Sequence, residues 1–170
     1  RWEAENYIPY KIEEVNLDYV LLDHEPGQET MDFLLVAAQQ GPVEKIMNMI
    51  SQAGLQSETA DINNFALANC FSFNYPEAMG SAVGLIDIGE FYSQFVIMNK
   101  GEVVFCRDTP AGGGFYNSEI AQAMGISESD AEKVKLDQAN MPDVVVEIIN
   151  QTNQRVAEKI YGAYEFFTNT

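Results

Sequence analysis

The stretch GLIDIGEFYSQFVIMNKGEVVFCRDTPAGGG, from Gly84 to Gly114, constrains the fold more than any other part of this chain. It contains three β-rich runs, about Ala82–Ile88, Tyr92–Met98 and Val103–Asp108. The first two are separated by a short acidic glycine turn. The last two are separated by Asn99-Lys100-Gly101, a tight hairpin signal in which Gly101 is available for positive φ. A second glycine cluster, Gly112-Gly113-Gly114, then opens a helix. In one reading Asp87 ends a buried strand and Gly89 lets the amides of the following turn approach an anion, where a side chain would block the way. Asp87 would then hold a divalent cation through water. Asp-x-Gly after an apolar strand also occurs in plain hairpins whose glycine supplies only backbone freedom, so the turn alone leaves both readings open.

With 170 residues, 46% of them apolar, the chain is long enough for one ordinary domain or two small lobes with a packed core. Charge narrows the partners: 26 acidic side chains stand against 9 basic ones, a formal net charge of -17. Nucleic acid is excluded, because phosphate backbones are bound by Lys and Arg clusters that this chain lacks. A basic peptide fits the charge better, and a plain solvated acidic face fits it as well. No apolar run approaches the ~20 residues of a membrane-spanning helix. The chain opens at Arg1 without methionine or a signal-peptide pattern and so reads as a fragment.

Catalytic constellations are scarce. The single histidine, His24, lies in the polar turn HEPGQE, so no Ser-His-Asp or Cys-His arrangement is available. Glu13 and Glu14 are consecutive and would point apart in a strand. Cys70 and Cys106 are too few for a disulfide framework and show no metal spacing; both are expected to be buried core thiols. Trp2 and the aromatics Tyr161, Tyr164, Phe166 and Phe167 read as packing residues, which in a fragment can be left exposed and favour dimers.

Elsewhere the chain alternates between the two periods. Arg1–Tyr7 resembles a helix end stopped by Pro9. Val15–Leu22 and Met31–Ala38 are strand-like, joined by a turn at Pro26-Gly27. Gly41-Pro42 starts a helix with Val43, Ile46, Met47 and Ile50 at helical spacing, closed by Gly54. A short strand is expected near Leu55–Ala60. A helix over about Ile62–Phe73 would bury Phe65, Leu67 or Ala68, and Phe71. Past the triple glycine, a helix over Phe115–Met124 ends at Gly125, and Ser127 caps the next one with Asp130 as its counterpart. The last helix, about Pro142–Phe167, carries Val145, Ile148, Ile149, Val156, Ile160 and Tyr164 on one stripe. The fold class is therefore mixed α/β in two lobes, 1–76 and 77–170, split near Tyr75–Ser81.

ISESDAEKVK, Ile126–Lys135, carries a second signal. Glu132 and Lys135 are three apart on a helix and share a face, where a carboxylate can accept from two ribose hydroxyls with the lysine in support. An ordinary surface ion pair explains the same spacing. The order of strand, turn, strand, hairpin, strand, glycine loop and two helices tips the balance toward a nucleotide.

LIDIG, a hairpin, FCRDTPAGGG and EIAQAMGISESDAEKVK, in that order, resemble the second domain of actin-like ATPases. RWEAENYIPYKIEEVNLDY with FLLVAA and AGL narrows the resemblance, nearly end to end, to the PilM family of type IV pilus assembly proteins, relatives of the cell-division actin homologue FtsA. The resemblance implies an actin-like, ribonuclease H-like fold: a small inserted lobe over 1–76, then part of the second nucleotide-binding domain, with mixed sheets flanked by helices.

It also implies ATP with Mg in the intact protein. Asp87 and Gly89 would form the second phosphate loop, with Asp87 toward the metal, and Gly112 and Gly113 the glycine loop. Glu132 and Lys135 would lie on the ribose helix, and Asp61, before INNFALA, would be an acid near the metal's water and the catalytic candidate. Glu90, Phe91 and Tyr92 depart from the small residues that relatives place after the glycine, and they crowd the terminal phosphate. Hydrolysis would then be weak at most, and this chain alone would bind ATP weakly or not at all, because the family's first phosphate loop and adenine loop lie outside it. The implied role is a cytoplasmic scaffold, peripheral to the inner membrane. It would grip the cytoplasmic tail of the membrane protein PilN, with the pilus motor ATPases as further partners. An active FtsA-type ATPase or filament former, and the related type II secretion component, are the alternatives.

Overall fold

The computed structural model describes residues 8–22 and 32–169. The chain divides into two compact units, Arg1–Asn63 and Asn64–Thr170. The expected helix end at Arg1–Tyr7, Trp2, His24 and the Pro26-Gly27 turn lie outside the described residues.

In the first unit a 3-10 turn, Ile12–Glu14, feeds β1 (Val15–Leu21), which pairs antiparallel with β2 (Phe33–Gln39), Val15 opposite Gln39 and Leu21 opposite Phe33. The β-branched and aromatic content of both strands favours this pleated pair. β2 runs straight into α1 (Gln40–Gln52), with Pro42 in its first turn, where the missing N–H costs nothing. Gly54 ends α1 at φ +78°, a backbone region that glycine enters freely. Val15 is the only apolar side chain buried in this unit among the described residues. The strand expected near Leu55–Ala60 does not form. The segment is irregular, Leu55 is exposed, and without a partner ladder its polar Gln-Ser-Glu-Thr run gains nothing from extension.

The second unit begins within α2 (Asn63–Asn74), followed by a 3-10 turn at Pro76–Gly80. β3 (Ala82–Ile88), β4 (Ser93–Asn99) and β5 (Glu102–Thr109) form an antiparallel sheet with β4 in the centre. Lys100 and Gly101, both at positive φ, make the β4–β5 hairpin, as a two-residue turn between right-twisting strands requires. α3 (Gly113–Met124), α4 (Glu128–Leu136) and α5 (Asp143–Thr168) complete the unit. The α4 cap is as expected: the Ser127 hydroxyl oxygen accepts from the Asp130 amide at 3.1 Å.

Opposed residues in an antiparallel pair share a sheet face, so the register sorts the core. On one face Val83, Leu85, Val96, Met98 and Cys106 pack with Ala68, Leu67 and Phe71 of α2. That packing places α2 in the second unit, so the division falls after Asn63, ahead of the Tyr75–Ser81 break expected from the sequence. On the other face Phe95, Ile97 and Phe105 meet Ile160, Ala163 and Phe167 of α5. The front half of α5, through Val145, Ile148 and Ile149, packs with Ile120 and Ala121 of α3 and Ala131 of α4. A 26-residue helix is about 39 Å long, enough to serve both cores. Two packing expectations fail. Tyr164 is exposed although it was counted on the α5 stripe. Cys70 is exposed and Cys106 only half-buried, because Ala68 and Phe71, not Cys70, form the sheet-facing side of α2.

Candidate functional site

β3 stops at Ile88, and the chain reverses through Gly89–Tyr92, where the Gly89 amide donates to the Tyr92 carbonyl at 3.0 Å. Gly89 is not among the positive-φ glycines; space is what excludes a side chain, since a Cβ there would lie 3.0 Å from the Tyr92 carbonyl oxygen. Gly112 is more tightly placed. A Cβ at Gly112 would lie 2.4 Å from the Gly89 carbonyl oxygen and 2.5 Å from that of Glu90. Both are backbone atoms, so no rotamer change relieves the clash. The closeness lets the Gly113 amide donate to the Gly89 carbonyl and the Gly114 amide to the Glu90 carbonyl, each at 2.8 Å. Ser93, fully buried beside the turn, donates its hydroxyl to the Ala111 carbonyl. The first amides of a helix have no intrahelical acceptor, and α3 has no side-chain cap, so the carbonyls of a turn more than twenty residues earlier satisfy them.

The amides of Gly113 and Gly114 are thus engaged within the chain. Among the described residues the amides of Glu90 and Phe91 donate to nothing, so the donors that this junction offers an anion belong to the turn itself. Lys135 reaches the cluster from α4, its Nζ donating to the Gly113 carbonyl at 3.3 Å. Glu132 does not join it: it is exposed and forms no ion pair among the described residues. The ion pair on α4 is instead Lys133 with Asp130, at 2.8 Å. The bonds from Lys133 and Ser127 hold the Asp130 carboxyl below its usual range. Asp61 is exposed in the first unit, where its Oδ1 accepts from the Ile62 amide at 2.8 Å.

Asp87 stands opposite Gln94, and Gln94 stands opposite Asp108, so the three side chains form one row across β3, β4 and β5 on the face that packs α2, with Gln94 buried and Asp87 and Asp108 exposed; β3 is a mostly exposed edge strand, not the buried strand expected to end at Asp87. Asn64, buried in the first turn of α2, donates its Nδ2 to Asp108 Oδ1 at 3.0 Å. A one-residue irregularity in the β4–β5 pairing at Ile97/Met98 decides this row. Counting back from the hairpin without it would set Arg107 opposite Gln94. The extra residue on β5 brings Asp108 to the row and turns Arg107 to the other face, where its guanidinium lies 5.2 Å from the centre of the Phe166 ring. Burial, with Asp108 nearby, raises the Cys106 thiol above its ordinary pKa. On α3, the buried Asn117 Oδ1 lacks a hydrogen-bond partner, and burial raises the Tyr116 phenol.

The family model described as type IV pilus assembly protein PilM matches residues 1–170. The chain belongs to the PilM family. Among solved structures, the PilM-PilN type IV pilus biogenesis complex is similar at a TM-score of 0.81 and 23% identity, over 99% of this chain and 50% of that one. The ethanolamine utilization protein EutJ from Carboxydothermus hydrogenoformans is similar at a TM-score of 0.50 and 25% identity, over 67% of this chain and 41% of that one. MreB5 of Spiroplasma citri bound to ADP gives a TM-score of 0.45 and 12% identity, over 82% and 63%. The fold is that of the actin-like ATPases. The chain spans half the length of the pilus structure that it matches.

For this PilM-family chain the structure brings together Gly89, Gly112, Gly113 and Lys135 of the residues singled out in the sequence, and sets Asp87 two residues before Gly89 near the end of β3. It leaves Glu132 on the surface of α4. Ser93, Asn64, Gln94 and Asp108 were missed. Gln94 was within reach of the sequence, because pairing back from the Gly89 turn sets it opposite Asp87. Asp108 was not, since nothing in Val103–Phe105 announces an extra residue in the ladder.

Proposed function

We propose that the chain is part of a PilM-type scaffold of type IV pilus assembly that grips the cytoplasmic tail of a PilN-like membrane protein. A groove in the first unit carries this reading. It has a volume of about 470 Å³ and follows consecutive residues of β1, lined by Ile12, Val15, Leu17, Tyr19 and Leu35 with Asp18 among them. Among the described residues β1 pairs only with β2, and a strand at the edge of a sheet can take an added strand. Apolar side chains at alternate positions would anchor such a segment, and Asp18 suits a basic residue in it. The net charge of -17 favours approach of a basic tail. No helix among the described residues is long and apolar enough to cross a membrane, which is compatible with a protein held at the inner membrane by its partner.

In the intact protein the same reading gives ATP with Mg at the second unit. The free amides of Glu90 and Phe91 would meet phosphate, Gly89, Gly112 and Gly113 would keep that turn seated, and Lys135 would stand beside the glycine loop. Glu90, Phe91 and Tyr92 are all exposed at the tip, consistent with a site that binds nucleotide and turns it over poorly. The motor ATPases would be reached through the complex.

A pull-down on PilN-like cytoplasmic tails tests the grip. Full-length protein should retain the tail, and Leu17→Asp or Tyr19→Asp should lose at least about tenfold in affinity. Undiminished capture by both variants would remove the groove from the account. Pelleting polymers formed on adding nucleotide would favour the filament alternative.

A further inference from the structure

We infer that Asp18 and Gln40 are plugs on the edge of β1 that select what the groove admits: an extended segment with a basic residue between two apolar ones. The inference rests on the reading of this groove as the grip for a partner's tail and adds how that grip discriminates. Both side chains line the groove, and both are bonded to backbone groups of β1.

The register shows which groups face the edge. The Leu22 amide donates to the Asp32 carbonyl at 3.0 Å, one step beyond the pairing of Leu21 with Phe33. Hydrogen-bonded pairs alternate along an antiparallel ladder, so Asn16, Asp18 and Val20 bond to β2, whereas Val15, Leu17, Tyr19 and Leu21 turn their N–H and C=O groups away from it. Three of these outward groups are already taken. The Val15 amide donates to the Ile12 carbonyl in the 3-10 turn. The Val15 carbonyl accepts from Gln40 Nε2 at 3.3 Å. The Tyr19 amide donates to Asp18 Oδ1 at 2.9 Å. Between them Leu17 keeps both its N–H and its C=O without a partner among the described residues.

An incoming strand thus finds a ready donor and acceptor at Leu17, and it gains the Tyr19 amide only by displacing Asp18. Side chains alternate along a strand, so Leu17 and Tyr19 share a face with Leu35, and Asp18 stands on the other. Segment residues level with Leu17 and Tyr19 meet apolar side chains, and the residue between them meets the Asp18 carboxylate. A basic side chain there draws the carboxylate to itself, because an ammonium or guanidinium group is a stronger partner for it than a neutral amide. The released Tyr19 amide then donates to the added strand. A neutral residue leaves the plug in place and forfeits that bond, and an acidic one is repelled as well.

Titration of the isotopically labelled chain with two matched synthetic peptides, one with a Val-Lys-Val centre and one with Val-Gln-Val, tests the inference through the backbone amides of Leu17 and Tyr19. The lysine peptide should bind the unaltered chain at least about tenfold more tightly than the glutamine peptide. Asp18→Ala removes plug and charge together. It should bind the glutamine peptide at least about threefold more tightly than the unaltered chain does, and hold the two peptides alike. Asp18→Asn keeps an acceptor for the Tyr19 amide without the charge, and should bind both peptides about as weakly as the unaltered chain binds the glutamine one. A glutamine peptide held no more tightly by Asp18→Ala than by the unaltered chain is what plain charge attraction gives; it would overturn the plug and leave the grip standing. Absence of shifts at Leu17 and Tyr19 with either peptide, in the unaltered chain and both variants, would remove the plug and the groove together.

Discussion

The two units differ in what they do with apolar surface. In the second, the central strand β4 is packed on both faces and Val96, Met98, Ile120 and Val145 are sealed from water, although Ile86, Ile88, Phe91 and Tyr92 at the end of β3 and its turn are exposed. In the first, Tyr19, Leu21, Phe33, Ile46, Met49 and Leu55 are exposed, and Val15 alone among its described apolar residues is buried. Its described elements are one two-stranded hairpin, a 3-10 turn and one helix, and a two-stranded hairpin alone is marginal in water. Apolar side chains left in water are available to a partner, whereas the second unit has a buried core on which backbone hydrogen bonds and Ser93 hold a turn and a helix terminus in register. Among the described residues the second unit thus holds the larger buried core, and the first holds one buried apolar side chain.

The largest expected contrast comes from two glycines. Gly112→Ala would drive a methyl group into two backbone carbonyls of the second unit and should cost about 3 kcal/mol or more in thermal or denaturant unfolding. Gly41→Ala, in α1 of the first unit with nothing within 4 Å, should be neutral or stabilise by up to about 1 kcal/mol. Comparable losses at both positions would break the contrast. Next comes a pair of truncations. Val96→Ala should cost about 2 kcal/mol, because its neighbours in the α2-facing core cannot collapse into the space, and Ile46→Ala under about 0.5 kcal/mol. Ser93→Ala should cost about 1–2 kcal/mol by leaving the buried Ala111 carbonyl without its donor. It should also speed hydrogen exchange of the Gly113 and Gly114 amides.

The smallest effect concerns Cys106. Its pKa is raised in the folded state, first by burial and then by Asp108. A raised folded pKa gives stability that is full below the ordinary thiol pKa and is lost as pH rises through the folded value. Unfolding free energy should therefore decline above about pH 9, and Cys106→Ala should lack that part of the slope. At neutral pH the exposed Cys70 should alkylate well before Cys106, and equal rates would contradict the burial pattern.

Much of this architecture was legible because local chemistry decides it. Asn99-Lys100-Gly101 had to turn, Ser127 had to cap, Gly54 had to end α1, and the apolar stripe through Val145 and Val156 had to bury. What escaped was set by partners distant in sequence. The extra residue in β5 exchanged Asp108 for Arg107 on the α2 face without any signal in Val103–Phe105. The triple glycine read as a loop that cradles phosphate. In the fold Gly112 makes room for the Gly89–Glu90 carbonyls, a contact that only the tertiary structure specifies. Glu132 shares a helix with Lys135, but spacing could not reveal that Lys135 turns to the Gly113 carbonyl while Glu132 faces water. The positions of Asp87 and Gly89, where strand and turn meet, were thus readable in the sequence, and the register of β5 was not.

The central claim is that the first unit receives a membrane-protein tail along β1. The most direct measurement is a titration of a PilN-like cytoplasmic tail peptide into the isotopically labelled chain, following backbone amides. The account predicts saturable shifts at Val15, Leu17, Tyr19 and Leu35, with slowed hydrogen exchange along β1. Shifts confined to Asn64–Thr170, or none at saturating peptide, would contradict it.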